Sequence, residues 1–361
     1  MKILFVGWLA EGQTSRMRME VLRDLGYDII PLNYQSVWAR SSWASRQVQQ
    51  RVGKGPAISR LNKDVIRLAR EHKPDLMWAE KQEYLRPKTL RHLRRLNVRL
   101  LHYTPDPYFT LSWKRTGLMD SCLPLFDYAV TSKRYELNEY HRVCQKVIYM
   151  PLGYAESVHR PVVSADLKTR RRFNSDVSFL GGWEPRRESL LDIIAGIGCD
   201  LKIWGYGWDH LADGRWTPRR AYRLRLLSGG APRINKNERL AAALQGGEVY
   251  GDAYAWALSG ALINVGFLRH VCPDQHTTRT FEIPACGSMM LADRTDEHKE
   301  FFEEGVEAEY FSGGEELLEK VRFYLKYEAS RERIAHAGYK RCLKSGYSYR
   351  ERLKGVLAEL N

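Results

Sequence analysis

Apolar and polar positions alternate along the first half of the chain in two periods. Apolar runs of strand length stand at residues 2–6, 27–31, 75–79, 98–103, 128–131 and 147–150. Between several of them the apolar residues recur at helical spacing, as in 16–25, where Gly26 supplies the stop. Strands alternating with helices in this way predict a parallel sheet with helices on both faces. The rhythm pauses at Pro151-Leu-Gly153 and across the polar, basic stretch 155–175. A second series then begins, with strands at 177–180, 201–204, 261–265 and 289–292 and a helix from about 186. Helical segments at about 315–327, 330–343 and 348–360 close the chain.

The expected fold is therefore α/β, two doubly wound, Rossmann-like domains facing across a cleft. We expect domain boundaries at 1–155 and 176–345, a linker at 156–175, and a C-terminal helix in 346–361 that packs back on the first domain. Ligands of such sheets bind beyond the carboxyl ends of the strands. A length of 361 residues fits two cores better than one.

Composition narrows the class. The chain is 44% hydrophobic and 28% charged, without a low-complexity tract or an apolar run of membrane-spanning length. Its N-terminus runs directly into a strand pattern rather than a signal peptide. The six cysteines are scattered, with no Cys-x-x-Cys, which argues against a disulfide framework or a zinc site and for a cytoplasmic protein. The net charge of +14 favours polyanionic partners. Much of it lies in two segments where arginines mix with aromatics, 37–70 (with Trp38 and Trp43) and 215–239 (with Trp216 and Tyr222). Such segments suit peripheral contact with an anionic membrane, or a simply solvated basic face; nucleic acid is disfavoured because no nucleic-acid motif is present.

Candidate chemistry concentrates in Asp274-Gln-His-Thr-Thr-Arg-Thr-Phe-Glu-Ile-Pro-Ala-Cys-Gly287. Thr277 or Thr278 is positioned to cap a short helix that Gly287 ends. Free N–H groups at a helix start favour a phosphate, and Glu282 further in suits a pair of sugar hydroxyls. The same pattern also describes a helix that needs no ligand, with Phe281, Ile283 and Ala285 inward and Arg279 and Glu282 paired outward. Upstream, Gly181-Gly182-Trp-Glu-Pro-Arg186-Arg187 follows a strand and opens a helix, as a phosphate loop or a tight turn. Gly205-Tyr-Gly207 repeats that signal more weakly. Neither Gly-x-Gly-x-x-Gly nor a Walker lysine occurs, which disfavours dehydrogenases and P-loop nucleotidases. On the other side, His102-Tyr-Thr-Pro-Asp106 follows a strand; His102 or Asp106 is a candidate base, and the sequence is also a good turn. Glu11, Glu80 and Glu83 are weaker acidic candidates.

Residues 176–345 resemble the C-terminal domain of GT-B glycosyltransferases, in particular the CgeB-like, spore-maturation-type group. The resemblance rests on ordered pieces: Gly181-Gly182 with Arg186, Gly205-Tyr-Gly207, Val249-Tyr-Gly-Asp252, Leu262-Ile-Asn-Val265, Thr278 to Gly287, and Phe311-Ser-Gly-Gly-Glu-Glu-Leu317. It implies a nucleotide-diphospho-sugar donor, with Glu282 at the second acidic position of a Glu-x7-Glu pair and Asp274 at the first. The departure to Asp, one methylene shorter, leaves retention versus inversion open. Arg186, Arg187 and Arg279 would neutralise the diphosphate, with Gly181, Gly182 and Gly205 in the donor loops. Because Asp-x-Asp is missing from the chain, no metal and no cofactor are expected. The acceptor would be a glycan, lipid-linked or other molecule, in polysaccharide or glycoconjugate biosynthesis. Two rivals stand beside this reading: an epimerase sharing the donor site, and a non-catalytic polyanion-binding protein, which would have no use for a ribose acceptor.

Overall fold

The computed structural model describes residues 1–39, 41–112, 115–163, 166–209, 211 and 237–360. Of the basic stretch 215–239 only Arg239 and its two predecessors fall among them; Trp216, Tyr222 and the other arginines there lie outside the described residues, as does Arg40.

The chain divides into two compact units, Met1–Leu152 with Tyr349–Asn361, and Gly153–Ser348. In the first unit β1 (Lys2–Gly7), α1 (Thr14–Asp24) and β2 (Asp28–Asn33) lead through a short 3-10 turn to α2 (Trp43–Val52) and α3 (Pro56–His72). Then come β3 (Leu76–Glu80), α4 (Pro87–Arg95), β4 (Arg99–Thr104), α5 (Gly117–Cys122), β5 (Tyr128–Thr131), α6 (Leu137–Val143) and β6 (Lys146–Tyr149). All strand pairings are parallel, in the order β2-β1-β3-β4-β5-β6. Ile3 to Val6 and Leu76 to Ala79 are fully buried, which is why these central strands read as unbroken apolar runs.

The second unit opens with α7 (Leu167–Phe173), inside the stretch expected to be a linker. It continues with β7 (Ser175–Leu180), α8 (Pro185–Ala195), β8 (Leu201–Trp204), α9 (Glu238–Ala243), α10 (Gly251–Ser259), β9 (Ala261–Gly266), α11 (Arg279–Ala285) and β10 (Met289–Asp293). α12 (Asp296–Phe301), β11 (Glu309–Phe311), α13 (Gly314–Lys326) and α14 (Glu328–Lys344) complete it. Its parallel sheet runs β11-β10-β9-β7-β8. Two parallel, doubly wound sheets are the fold class the strand–helix rhythm predicts.

The last helix, α15 (Tyr349–Ala358), belongs to the first unit. There Arg18 of α1 is fully buried, ion-paired with Glu80 at the end of β3 and flanked by the rings of Tyr103 and Tyr349, each 4.9 Å from its guanidinium carbon. Burial opposes the Arg18 charge, but Glu80 and the two rings outweigh it and raise its pKa. Among the described residues no helix is long and apolar enough to cross a membrane.

Candidate functional site

The strand order of the second sheet reverses between β7 and β9, so its crevice lies beyond the carboxyl ends of these strands. The sequence-predicted loops meet there. β7 runs into Gly181-Gly182 and β8 into Gly205-Tyr206. Gly205 has φ +150°, and a Cβ on it would collide with the Gly181 carbonyl oxygen. A Cβ on Gly182 would lie 2.6 Å from the ring of Tyr206. The Trp208 indole N–H donates to the Gly181 carbonyl at 2.9 Å, joining the loops from a third side.

Arg187 bridges the reversal. Its buried guanidinium donates to the Gly182 carbonyl (2.9 Å) after β7 and the Phe267 carbonyl (3.3 Å) after β9. Burial lowers its pKa; Glu184, 3.6 Å away, opposes this, and the positive charges of Arg269 and Arg279 add to it. Arg279 also ties in, donating from Nε to the Leu180 carbonyl at 3.0 Å, with its guanidinium carbon 5.6 Å from the centre of the Tyr254 ring. The guanidiniums of Arg187 and Arg279 thus meet at the crevice beside the carboxylates of Glu184 and Glu282, with the charge of Arg269 near enough to act on Arg187, an arrangement suited to a multiply charged anion. Arg186 differs from them, because its guanidinium makes a bidentate pair with Asp293 (3.1 and 2.5 Å) at the end of β10. Asp293 also accepts from the Leu268 N–H, so Arg186 braces the sheet edge. Arg269 escaped the sequence reading; the available signal was a basic residue just past a strand at the reversal.

Glu282 departs from the expected outward pairing: it is only 3% exposed, and every residue from Thr280 to Ala285 is buried. The Tyr254 hydroxyl donates to its Oε2 at 2.5 Å, His159 Nε2 lies 3.5 Å from Oε1, and Arg279 lies 3.7 Å from Oε2. His159 accepts the Ala155 N–H at Nδ1, so the proton of the neutral ring sits on Nε2, facing the carboxylate. Burial lowers the His159 pKa even against Glu282. Tyr254 and His159 come from far along the sequence, and spacing within one helix carries no sign of them.

The expected threonine cap is also corrected. Thr278 precedes the helix in α conformation and its hydroxyl caps nothing, accepting instead from Arg279. Order at this end comes from a polar chain, Thr277 N–H to Thr280 Oγ1 (3.1 Å), Thr280 to His298 Nε2 (2.8 Å), and His298 Nδ1 to the Asp293 carbonyl (2.6 Å). Burial pushes the His298 pKa down to about 4, so the ring is neutral, donates from Nδ1 and accepts the Thr280 hydroxyl. Gly287, with φ +74°, ends the helix as expected. Asp274 sits half-buried in the loop before it.

In the first unit the order reverses between β1 and β3. Asp106, after β4, pairs at 3.2 Å with Lys81, which directly follows β3 in a left-handed conformation (φ +52°). Glu11 is exposed after β1. The structure separates His102 from these groups. Its ring is 2% exposed and packs on Phe126, Nδ1 meets no hydrogen-bond partner among the described residues, and burial pushes its pKa down to about 3. Among the described residues no three His, Cys, Asp or Glu side chains group to hold a metal ion.

Comparison with known proteins bears on the fold and on the second unit. Residues 186–358 match the family model described as glycosyl transferase-like. No curated protein matches the chain significantly. Among solved structures, Anabaena Alr3699/HepE in complex with UDP-glucose is 13% identical, with TM-score 0.63, covering 100% of this chain and 99% of its own. Sucrose-phosphate synthase from Thermosynechococcus elongatus is 12% identical, with TM-score 0.68 and coverage of 100% and 98%. A putative UDP-N-acetylglucosamine 2-epimerase from Listeria monocytogenes is 10% identical, with TM-score 0.52 and coverage of 99% and 95%. The chain has the GT-B architecture, and its residues 186–358 are similar to the glycosyl transferase-like family model.

Proposed function

We propose that this protein transfers a glycosyl group from a nucleotide-diphospho sugar to an acceptor without a metal ion. The observation that carries the reading is the arginine cluster, Arg187, Arg269 and Arg279, at the β7/β9 reversal of the glycosyl transferase-like domain. As the nucleoside diphosphate departs it gains charge, and fixed cations aimed at it lower the barrier in the role a metal would otherwise fill. Arg186, braced by Asp293, sets the start of α8, and the glycine loops let backbone approach the phosphates. Uridine is the first base to test, since HepE is described with UDP-glucose. Tyr206, two-fifths exposed beside Gly182, offers a ring for that base to stack on. Glu282, held by Tyr254 and His159, is the diol acceptor in this reading, and Asp274 faces the donor sugar. The ordered motifs support a CgeB-like relationship and a role in polysaccharide or glycoconjugate biosynthesis.

The first unit is proposed to handle the acceptor, with Asp106 as base and Lys81 orienting it. In this reading His102 is a packing residue, buried against Phe126. The basic 37–70 segment is proposed to bring the acceptor side to an anionic surface. The epimerase reading is kept because a putative epimerase shares the frame. Product analysis in EDTA separates the two: with UDP-glucose and candidate acceptors we expect UDP release that depends on acceptor, and lower by at least about tenfold in Asp106→Asn. An epimerised nucleotide sugar without UDP release would replace transfer by epimerisation, and activity that vanishes in EDTA and returns with a divalent ion would overturn metal independence.

A further inference from the structure

Trp8 directly follows β1, where the strand order of the first sheet reverses. Its side chain is 40% exposed, whereas Trp38 and Trp78 are buried in the core of the same unit. A single open ring is ordinary on a protein surface, and it is the setting that gives this one a chemical meaning. The Trp8 carbonyl accepts the Ser15 hydroxyl at 2.5 Å, and the Leu9 N–H donates to Asn33 Oδ1 at 3.4 Å. The backbone that carries the ring is thereby pinned to α1 and to the end of β2. The Lys81–Asp106 ion pair follows β3 and β4, the next two strands in order. The Asp106 loop is fixed in turn, because Ser132 donates to the Pro105 carbonyl at 3.1 Å and Glu136 accepts the Tyr108 and Thr110 N–H groups. Adjacent strands lie about 4.8 Å apart, which sets β1 and β4 about 10 Å apart, room for one sugar ring. The local charge is acidic. Burial raises the Tyr34 pKa, and the carboxylates of Glu83, Glu80 and Asp106 raise it further, so all three act on one hydroxyl. Arg18 offsets Glu80 and Lys81 offsets Asp106, while exposed Glu11 adds a carboxylate three residues beyond Trp8.

We propose that Trp8 is the platform on which the acceptor, a neutral pyranose, stacks, with Lys81, Asp106 and Glu11 hydrogen-bonding its hydroxyls. The proposal rests on reading the first unit as the acceptor side. One face of a pyranose presents C–H groups, which suit the electron-rich face of an indole, and its rim presents hydroxyls, which need donors and acceptors at fixed places. A lipid chain would strip water from the Lys81–Asp106 pair and offer it no hydrogen bond in return. A sugar carrying a carboxylate or phosphate would meet Glu11 and Glu83 with the same sign of charge. The platform therefore selects for an uncharged sugar.

Saturation-transfer difference NMR of the full chain, without any donor, tests this. The probes are the methyl glycosides of glucose, galactose, mannose and N-acetylglucosamine, with methyl glucuronide as the charged counterpart. At least one neutral glycoside is expected to receive saturation, most strongly at the ring C–H protons of one face. Trp8→Ala should lower its affinity at least about tenfold, while Trp8→Phe, which keeps a flat ring, should lower it less than about threefold. Circular dichroism checks that both variants fold. Equal affinity in wild type and Trp8→Ala overturns the proposal, as does saturation reaching none of the neutral glycosides. Methyl glucuronide bound as tightly as the best neutral glycoside overturns the selection for an uncharged sugar. UDP titrated into the same samples reports separately on the second unit. UDP binding without glycoside binding sinks the platform and leaves the donor reading standing, and glycoside binding without nucleotide binding does the reverse.

Discussion

Arg187 joins two loops through two carbonyl bonds with its guanidinium buried, so it serves structure and charge together. The buried histidines serve structure by staying neutral. His298 and His102 have pKa values pushed to about 4 and about 3 by burial, whereas an unfolded histidine titrates near 6.5. The folded state therefore prefers the unprotonated rings. Their contribution is complete above about pH 6.5 and is lost as pH falls toward 4, where the unfolded chain binds more protons. Melting temperature followed from about pH 7 to 4 should drop across that window, and His102→Leu should flatten the drop while leaving donor binding unchanged. A drop of the same size in His102→Leu would contradict the role given to His102. At this scale the sequence pointed to charged residues in the first turns of helices, Arg187 and Arg279 among them. It did not show burial: Glu282 is enclosed by Tyr254, 28 residues before it, and by His159, which lies in the stretch read as linker.

Among the elements, β7 and β8 are useful because their glycine loops interlock. Gly205→Ala places a methyl group against the Gly181 backbone at a φ that L-residues rarely adopt, so it should cost more than about 3 kcal/mol or prevent folding of the second unit. Gly355→Ala is the contrasting case. It lies exposed in the middle of α15 with nothing near its Cβ, and should raise stability by about 0.5–1 kcal/mol. Denaturant unfolding measures both, and a harmless Gly205→Ala would remove the interlocked-loop account. The core strands were legible because strands buried on both faces are continuous apolar runs, as in β1, β4 and β10. The three-residue β11 and the short α7 were not legible: a short polar helix such as Leu167–Phe173, with three arginines, has no apolar face to announce it. The start of α11 was misread for a related reason, since its order comes from His298 and Thr280 rather than from a local cap.

For the whole molecule, the proposed function has two doubly wound units, with one crevice each, divide the labour of a transfer reaction. The fold was readable from rhythm alone, and the division of charge was not. Positive charge is abundant in this chain, and only the strand order shows that Arg187, Arg269 and Arg279 collect where an anion is expected. Replacement of Arg187 would also remove two carbonyl bonds, so Arg269 is the position tested. The most direct test is calorimetric titration of UDP, with GDP, CDP, dTDP and ADP alongside, into the wild-type chain and Arg269→Ala in EDTA. We predict saturable one-to-one binding of a nucleoside diphosphate to the wild type, and affinity at least about tenfold lower in Arg269→Ala, with circular dichroism showing the variant folded. Absence of binding by every nucleotide, or equal affinity in the two proteins, would contradict it.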